Sequence, residues 1–390
     1  MDEATGMGSR LMDEWNEGVP SQLARAVAEC RARGTPICDL ITANPQEEGL
    51  EFPPDLLRQL MQKAVAASRF YRPDPQGLLS AREAVAGYHG CKPEQVLLTP
   101  GTSFAYWCAF RLLARPGEEI LCPHPTYPLF DDLARLAHVT VRRYHMHHDG
   151  LRWAIDPGEV EFQVTARTRI IVVVSPHNPT GSVATAGELL ALAEIARRHG
   201  LVIVFDEVFR EFTHGAVGVL RPAAVGAPLA LVLNGFSKMF SLPGLKAGWL
   251  VAEGEQQRCE QFLRAAESLS DPFLAVSEAT QAVIPLVFAK GAEVPGRFRQ
   301  EYTCRMGALV GTWRDCGVAV SMPEAGVYLP VKVASAGAQA DESALARVVR
   351  ETGILAHPGE YYGLPEGHLV MTCVKRPPWP VTALLNALRR

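Results

Sequence analysis

Arg169-Ile170-Ile171-Val172-Val173-Val174-Ser175-Pro176-His177-Asn178-Pro179-Thr180-Gly181 is a β-branched run broken by an Asn-Pro turn. Leu201-Val202-Ile203-Val204-Phe205-Asp206 is a second such run, closed by a carboxylate. Between them residues 187–199 carry Leu and Ala at helical spacing. Strand, helix and strand in that order predict two parallel strands joined by a crossover helix. The alternation extends in both directions, with strand-like runs at 95–99, 119–122, 139–144, 230–233 and 247–251. The expectation is an α/β fold built on a mostly parallel seven-stranded sheet covered on both faces. Ligands of such sheets bind beyond the carboxyl ends of the strands. Pro176 to Gly181, Asp206 and Ser237-Lys238 all fall at such ends.

Composition narrows the function. The chain has 390 residues, more than the ~100–200 of a typical domain, which favours two domains. Apolar residues make up 48% and charged ones 21%, an ordinary soluble balance. A net charge of −4 argues against nucleic acid as a partner. The apolar runs are strand-length, far short of the ~20 residues that span a bilayer, so no membrane association is expected. Met1-Asp2-Glu3-Ala4-Thr5 lacks the basic and apolar regions of a signal peptide. Nine cysteines without a Cys-x-x-Cys pair suggest reduced thiols, no metal site and a cytoplasmic location.

Lys238 lies in Asn234-Gly235-Phe236-Ser237-Lys238 and is followed by Phe240, Leu242, Pro243, Gly244 and Leu245. An unpaired ammonium in such an apolar stretch is expensive, and desolvation turns a lysine into a competent amine nucleophile and base. Asp206, ending a wholly apolar strand, needs a cation or a strong donor. Thr99-Pro100-Gly101-Thr102-Ser103 stands between a strand and a helix start, where backbone N–H groups, a glycine and two hydroxyls make an anion site. Lys246-Ala247-Gly248-Trp249 follows the lysine, with Lys246 eight residues on.

The order and spacing of these motifs resemble the fold-type I pyridoxal-phosphate enzymes of the class I/II aminotransferase family, from about Cys38 to the C-terminus. The resemblance implies the aspartate aminotransferase-like fold. Residues 1–54 would form an N-terminal segment joining the small domain, 55–285 the large cofactor-binding domain and 286–390 a smaller α/β domain. It implies pyridoxal 5′-phosphate as cofactor, held through a Schiff base on Lys238, which also shuttles the proton. Asp206 would face the pyridine nitrogen and Asn178, 28 residues upstream, the phenolic oxygen. Gly101, Thr102 and Ser103 take the positions of the phosphate cup, and Tyr127 that of the aromatic residue stacked on the ring. Tyr71, in Tyr71-Arg72-Pro73-Asp74-Pro75-Gln76-Gly77, matches a residue that reaches the neighbouring subunit's phosphate, which implies a homodimer.

Four positions depart from the family pattern. Phe209 replaces a tyrosine that donates to the phenolic oxygen. Lys246 replaces a phosphate-binding arginine, keeping the charge but not the bidentate fork. Gly235 stands where many members have a phosphate-binding serine. Val370 falls where the family has the arginine that clamps the substrate carboxylate, with Lys375 and Arg376 as candidate replacements nearby. The leading expectation is therefore an aminotransferase that passes nitrogen from an amino acid or amine donor to an oxo acceptor. A lyase, racemase or oxidase on the same fold, or a catalytically silent homologue, are the alternatives, because the cofactor stabilises the same carbanion in each enzyme.

Overall fold

The computed structural model describes residues 20–334 and 337–390; the stretch Met1 to Thr5 lies outside them. Seven strands form the main sheet: β1 (Val96–Thr99), β2 (Glu119–His124), β3 (Thr140–His145), β4 (Thr168–Val174), β5 (Val202–Asp206), β6 (Leu229–Gly235) and β7 (Gly248–Gly254). Their spatial order is β1-β7-β6-β5-β4-β2-β3. Strands β2 to β6 pair in parallel with their neighbours, whereas β7 runs antiparallel between β1 and β6. Both faces are buried, so alternate residues feed two cores. Ile171, Val173, Ile203, Phe205, Val232 and Trp249 enter one. Ile170, Val172, Val202, Val204, Leu231 and Leu250 enter the other. Continuous β-branched runs are the sequence consequence of that two-sided burial.

Register sets the site. Val174 pairs with Asp206, and Asp206 pairs with Leu233, so β4 and β5 end level and β6 runs two residues further. The chain leaving β4 reaches Asn178 within four residues, and the chain leaving β6 enters a short helix, α2 (Phe236–Met239), which carries Lys238. Because β7 is antiparallel, its first residue arrives at this same edge, with Gly248 opposite both Thr99 and Gly235.

The C-terminal region holds an antiparallel sheet of β8 (Tyr328–Lys332), β10 (His368–Thr372) and β9 (His357–Pro358), with β10 central. Pro330, which has no N–H to give, is tolerated because β8 is an edge strand. The helix Gln22–Ala32 packs on Glu342–Thr352, and Cys38–Asp39 pairs in parallel with Ile354–Leu355. Residues 22–39 thus contact the C-terminal region. Residues 318–331 carry an apolar pattern that reads as strand, but the ladder begins only at Tyr328 and the stretch before it pairs elsewhere. There the Ala325 N–H donates to Gly181 O at 2.9 Å, and the Glu324 carboxylate accepts from the Val183 N–H at 2.8 Å. The segment's polar groups are spent on the turn after Asn178 and on residues 212–214, where the His214 N–H donates to Glu324 O and the Gly326 N–H to Phe212 O. Among the described residues no helix is long and apolar enough to cross a membrane.

Glu207, next to Asp206, is fully buried and anchors this edge. Arg221 grips both its oxygens at 2.8 Å, and Arg210 and Asn234 each add a bond at 3.2 Å. Replacing Arg221 by leucine strands a buried carboxylate, for which the penalty is about 3–5 kcal/mol. Urea denaturation should show a loss near the lower end of that range, because Arg210 and Asn234 remain. A variant as stable as the parent would contradict this account of the edge.

Candidate active site

The anion site forms where the chain turns from β1 into helix α1 (Thr102–Leu113). Gly101 precedes the helix at φ +104, a conformation open to glycine and costly for other residues. The free N–H groups of the first turn lie beyond it, with the Thr102 and Ser103 side chains beside them. The Lys246 ammonium lies 3.6 Å from the point a Gly101 Cβ would occupy, so a cation stands over the cradle. A Cβ on Gly248 would come within 2.6 Å of Gly101 Cα. That glycine lets the start of β7 press against the cradle.

Asp206 is 8% exposed, and each of its oxygens accepts one bond. The Val208 N–H donates to Oδ1 at 2.9 Å, and the Tyr106 hydroxyl donates to Oδ2 at 2.9 Å. Burial pushes the carboxyl up to about 6 against the pull of both bonds; Glu207 adds to the rise, and Lys238 opposes it. Burial also lowers the Lys238 amine, and the Asp206 charge restores part of the loss. Each group is taken from water and partly compensated by the other. The Lys238 Nζ lies 5.9 Å from the centre of the Phe209 ring, so residue 209 faces the amine.

Asn178 has a buried amide oxygen with no protein partner. A buried polar atom left unpaired is costly, and the amide can turn to present its NH2 instead, so a bound polar group fits this position. Tyr127, 47% exposed, follows Thr126, whose N–H donates to Tyr362 O at 2.8 Å. Tyr328 meets the Phe209 ring edge-on at 6.4 Å. The C-terminal sheet thereby contacts the lysine's surroundings.

The structure gathers Lys238, Asp206, Asn178, Gly101, Thr102, Ser103 and Lys246 along one sheet edge. Tyr71 is not brought to it within the chain. It is 76% exposed and lines a separate crevice of about 500 Å³ with Arg72, Leu274 and Glu278. Val370 is fully buried in β10, with Pro330 and His357 opposite it. Lys375 and Arg376 do not stand as replacement cations. Lys375 pairs with the Glu48 carboxylate at 3.0 Å, and the Arg376 Nε donates to Glu48 O at 2.9 Å. Sequence reasoning missed Tyr106, Tyr328 and Gly248. Tyr106 left one signal, a phenol within the otherwise apolar helical stretch 104–110, while Gly248 stood in the quoted Lys-Ala-Gly-Trp run.

The family model for aminotransferase class I and II matches residues 39–383, and the chain belongs to that family. Its cofactor is pyridoxal 5′-phosphate, whose phosphate and polar ring fit the cradle and the unpaired Asn178 amide. An alanine aminotransferase of Mycobacterium tuberculosis strain H37Rv is 29% identical over 289 residues, covering 72% of this chain and 66% of that protein. The glutamate-pyruvate aminotransferase AlaA of Escherichia coli K12 is 28% identical over 262 residues, 64% of this chain and 63% of that one. The match thus spans a little under two-thirds of these relatives' length. The alanine aminotransferase structure from Pyrococcus furiosus superposes with a TM-score of 0.85 at 20% identity, covering 94% of this chain and 95% of that one. The N-succinyldiaminopimelate aminotransferase of Mycobacterium tuberculosis gives 0.81 at 25% identity, covering 98% of each chain.

Gly248→Ala tests the cradle. The added methyl collides with the Gly101 backbone, and overpacking of this kind costs ~1–3 kcal/mol. Titrating the apoprotein with cofactor should show a Kd raised roughly tenfold or more, since ~1.4 kcal/mol is tenfold. An unchanged Kd would mean the close approach has no part in binding.

Proposed function

We propose that the chain is a pyridoxal-phosphate-dependent aminotransferase in which Lys238 is the covalent attachment point and proton carrier. The observation that carries this reading is the meeting of a desolvated lysine, a buried aspartate and an unpaired asparagine amide at three neighbouring strand ends. When bound, the cofactor supplies an electron sink for negative charge at the substrate carbon that bears nitrogen. The lowered basicity of Lys238 leaves a larger share of neutral amine, able to attack a carbonyl and to accept a proton. Asp206 would hold the ring nitrogen, Asn178 the phenolic oxygen, and Gly101, Thr102, Ser103 and Lys246 the phosphate. Tyr127 would lie against the ring. Phe209 offers no hydroxyl to the phenolic oxygen, so Asn178 alone remains of the usual pair of donors.

The substrates of this reading are an amino donor and an oxo acceptor, a class supported by the names of the relatives, which transfer nitrogen between alanine, glutamate and pyruvate. A homodimer is supported by the exposed aromatic side chains of Phe70, Tyr71 and Phe273. Nine free cysteines fit a reducing, cytoplasmic compartment. The test is a half-reaction screen: the holoenzyme is mixed with a panel of amino acids and amines, and the cofactor's absorbance is followed. Conversion from the aldehyde to the amine form marks a donor. Ammonia release or oxygen uptake without that conversion would contradict transamination.

Val370 sharpens donor choice. An apolar side chain at this place leaves an α-carboxylate without a guanidinium, so alanine and aspartate should be weak donors of the parent. Val370→Arg should raise their kcat/KM, each tenfold gain corresponding to ~1.4 kcal/mol. Efficient turnover of alanine by the parent would refute this view of position 370.

A further inference from the structure

Tyr106 has no place in the scheme above, yet its hydroxyl makes one of the two hydrogen bonds that Asp206 accepts. It stands in the second turn of α1, the helix whose N-terminus forms the anion cradle. Its ring is 1% exposed and wedged between Phe110 and Phe130, with centroids at 5.8 and 5.3 Å. A phenol in an apolar box needs a partner for its O–H, and Asp206 Oδ2 at 2.9 Å is that partner. The two donors occupy opposite oxygens, which fixes the carboxylate plane and leaves further lone pairs on each oxygen.

We propose that Tyr106 is a positioning residue that holds and aims the Asp206 carboxylate for the ring nitrogen of the bound cofactor. This rests on the reading of Asp206 as the ring-nitrogen partner. Helix α1 then serves the cofactor twice. Its first turn would receive the phosphate, and one turn further on it orients the carboxylate meant for the ring nitrogen. The ionisation states suit the role. Tyr106 is held neutral well above the ordinary phenol range, first by burial and then by Asp206, with Cys122 and Tyr144 adding smaller pushes in the same direction. A neutral phenol donates, and an ionised carboxylate accepts. The other charged groups facing Asp206 are Glu207, which disfavours its ionisation, and Lys238, which favours it.

The test separates aiming from packing. The folded apoprotein holds the Asp206 proton more tightly than an unfolded chain does, the carboxyl lying at about 6 rather than the ordinary 3.8. Ionisation therefore lowers stability as pH rises through that range. Tyr106→Phe removes a donor to the ionised form, so its own penalty appears above the same range and fades below it. A charge-assisted hydrogen bond is about twice as strong as a neutral one, so the drop in Tm on Tyr106→Phe should be roughly twofold larger at pH ~8 than at pH ~5. In an Asp206→Asn background the drop should not vary with pH. A drop equal at both pH values in the parent background would overturn the proposal and leave Tyr106 a packing residue.

The second arm uses the loaded protein. The pH midpoint of cofactor absorbance should shift in Asp206→Asn, and in the same direction by less in Tyr106→Phe. A shift in Asp206→Asn with none in Tyr106→Phe overturns the proposal and spares the reading of Asp206. No shift in either variant overturns the reading of Asp206 itself, and the positioning role with it.

Discussion

The site depends on the register of three parallel strands. Val174 beside Asp206, and Asp206 beside Leu233, bring an asparagine, an aspartate and a lysine from distant parts of the chain to one edge. A slip of one residue between β4, β5 and β6 would turn each side chain to the other face of the sheet and exchange the two cores. Register is therefore held by the burial of Ile171, Val173, Ile203 and Phe205 on one side and of Ile170, Val172, Val202 and Val204 on the other. Packing energy far from the chemistry sets the geometry of the chemistry.

That edge concentrates charge in a place that disfavours it. Asp206 and Lys238 are both driven toward their neutral forms by burial, and each lends the other part of what solvent no longer provides. Glu207 beside them adds to the strain on Asp206 and is itself tied to Arg221, Arg210 and Asn234. Two neighbouring carboxylates thus have separate duties: Glu207 is spent on structure, while Asp206 keeps lone pairs free and is held only by a backbone N–H and one phenol. The difference lies in their partners, since the two residues share a strand end.

The sheet was legible because two-sided burial writes itself as uninterrupted apolar runs, as in 170–174 and 201–205. The antiparallel course of β7 was not legible, because direction depends on the connection and not on the composition of the run. Residues 318–327 misled for a related reason: their backbone groups pair with Gly181 and with residues 212–214 instead of a full neighbouring strand. At the site, Lys238, Asp206 and the Gly101 cradle were marked by local pattern, a charge after apolar residues or a glycine before a helix. Tyr106 and Tyr328 were not, because their roles come from contacts across a hundred residues or more, such as Tyr106 to Asp206 and Phe209 to Tyr328. Lys375 and Arg376 show the converse. Nearness in sequence to Val370 suggested a replacement cation, and Glu48 holds both instead.

The central claim is that Lys238 carries the cofactor. Borohydride reduction of the holoenzyme fixes a lysine-linked cofactor as a stable secondary amine, and peptide mapping locates it. The label is predicted on Lys238, and Lys238→Ala should remain folded and take up no label. A label on another lysine, or undiminished labelling of the alanine variant, would contradict the account.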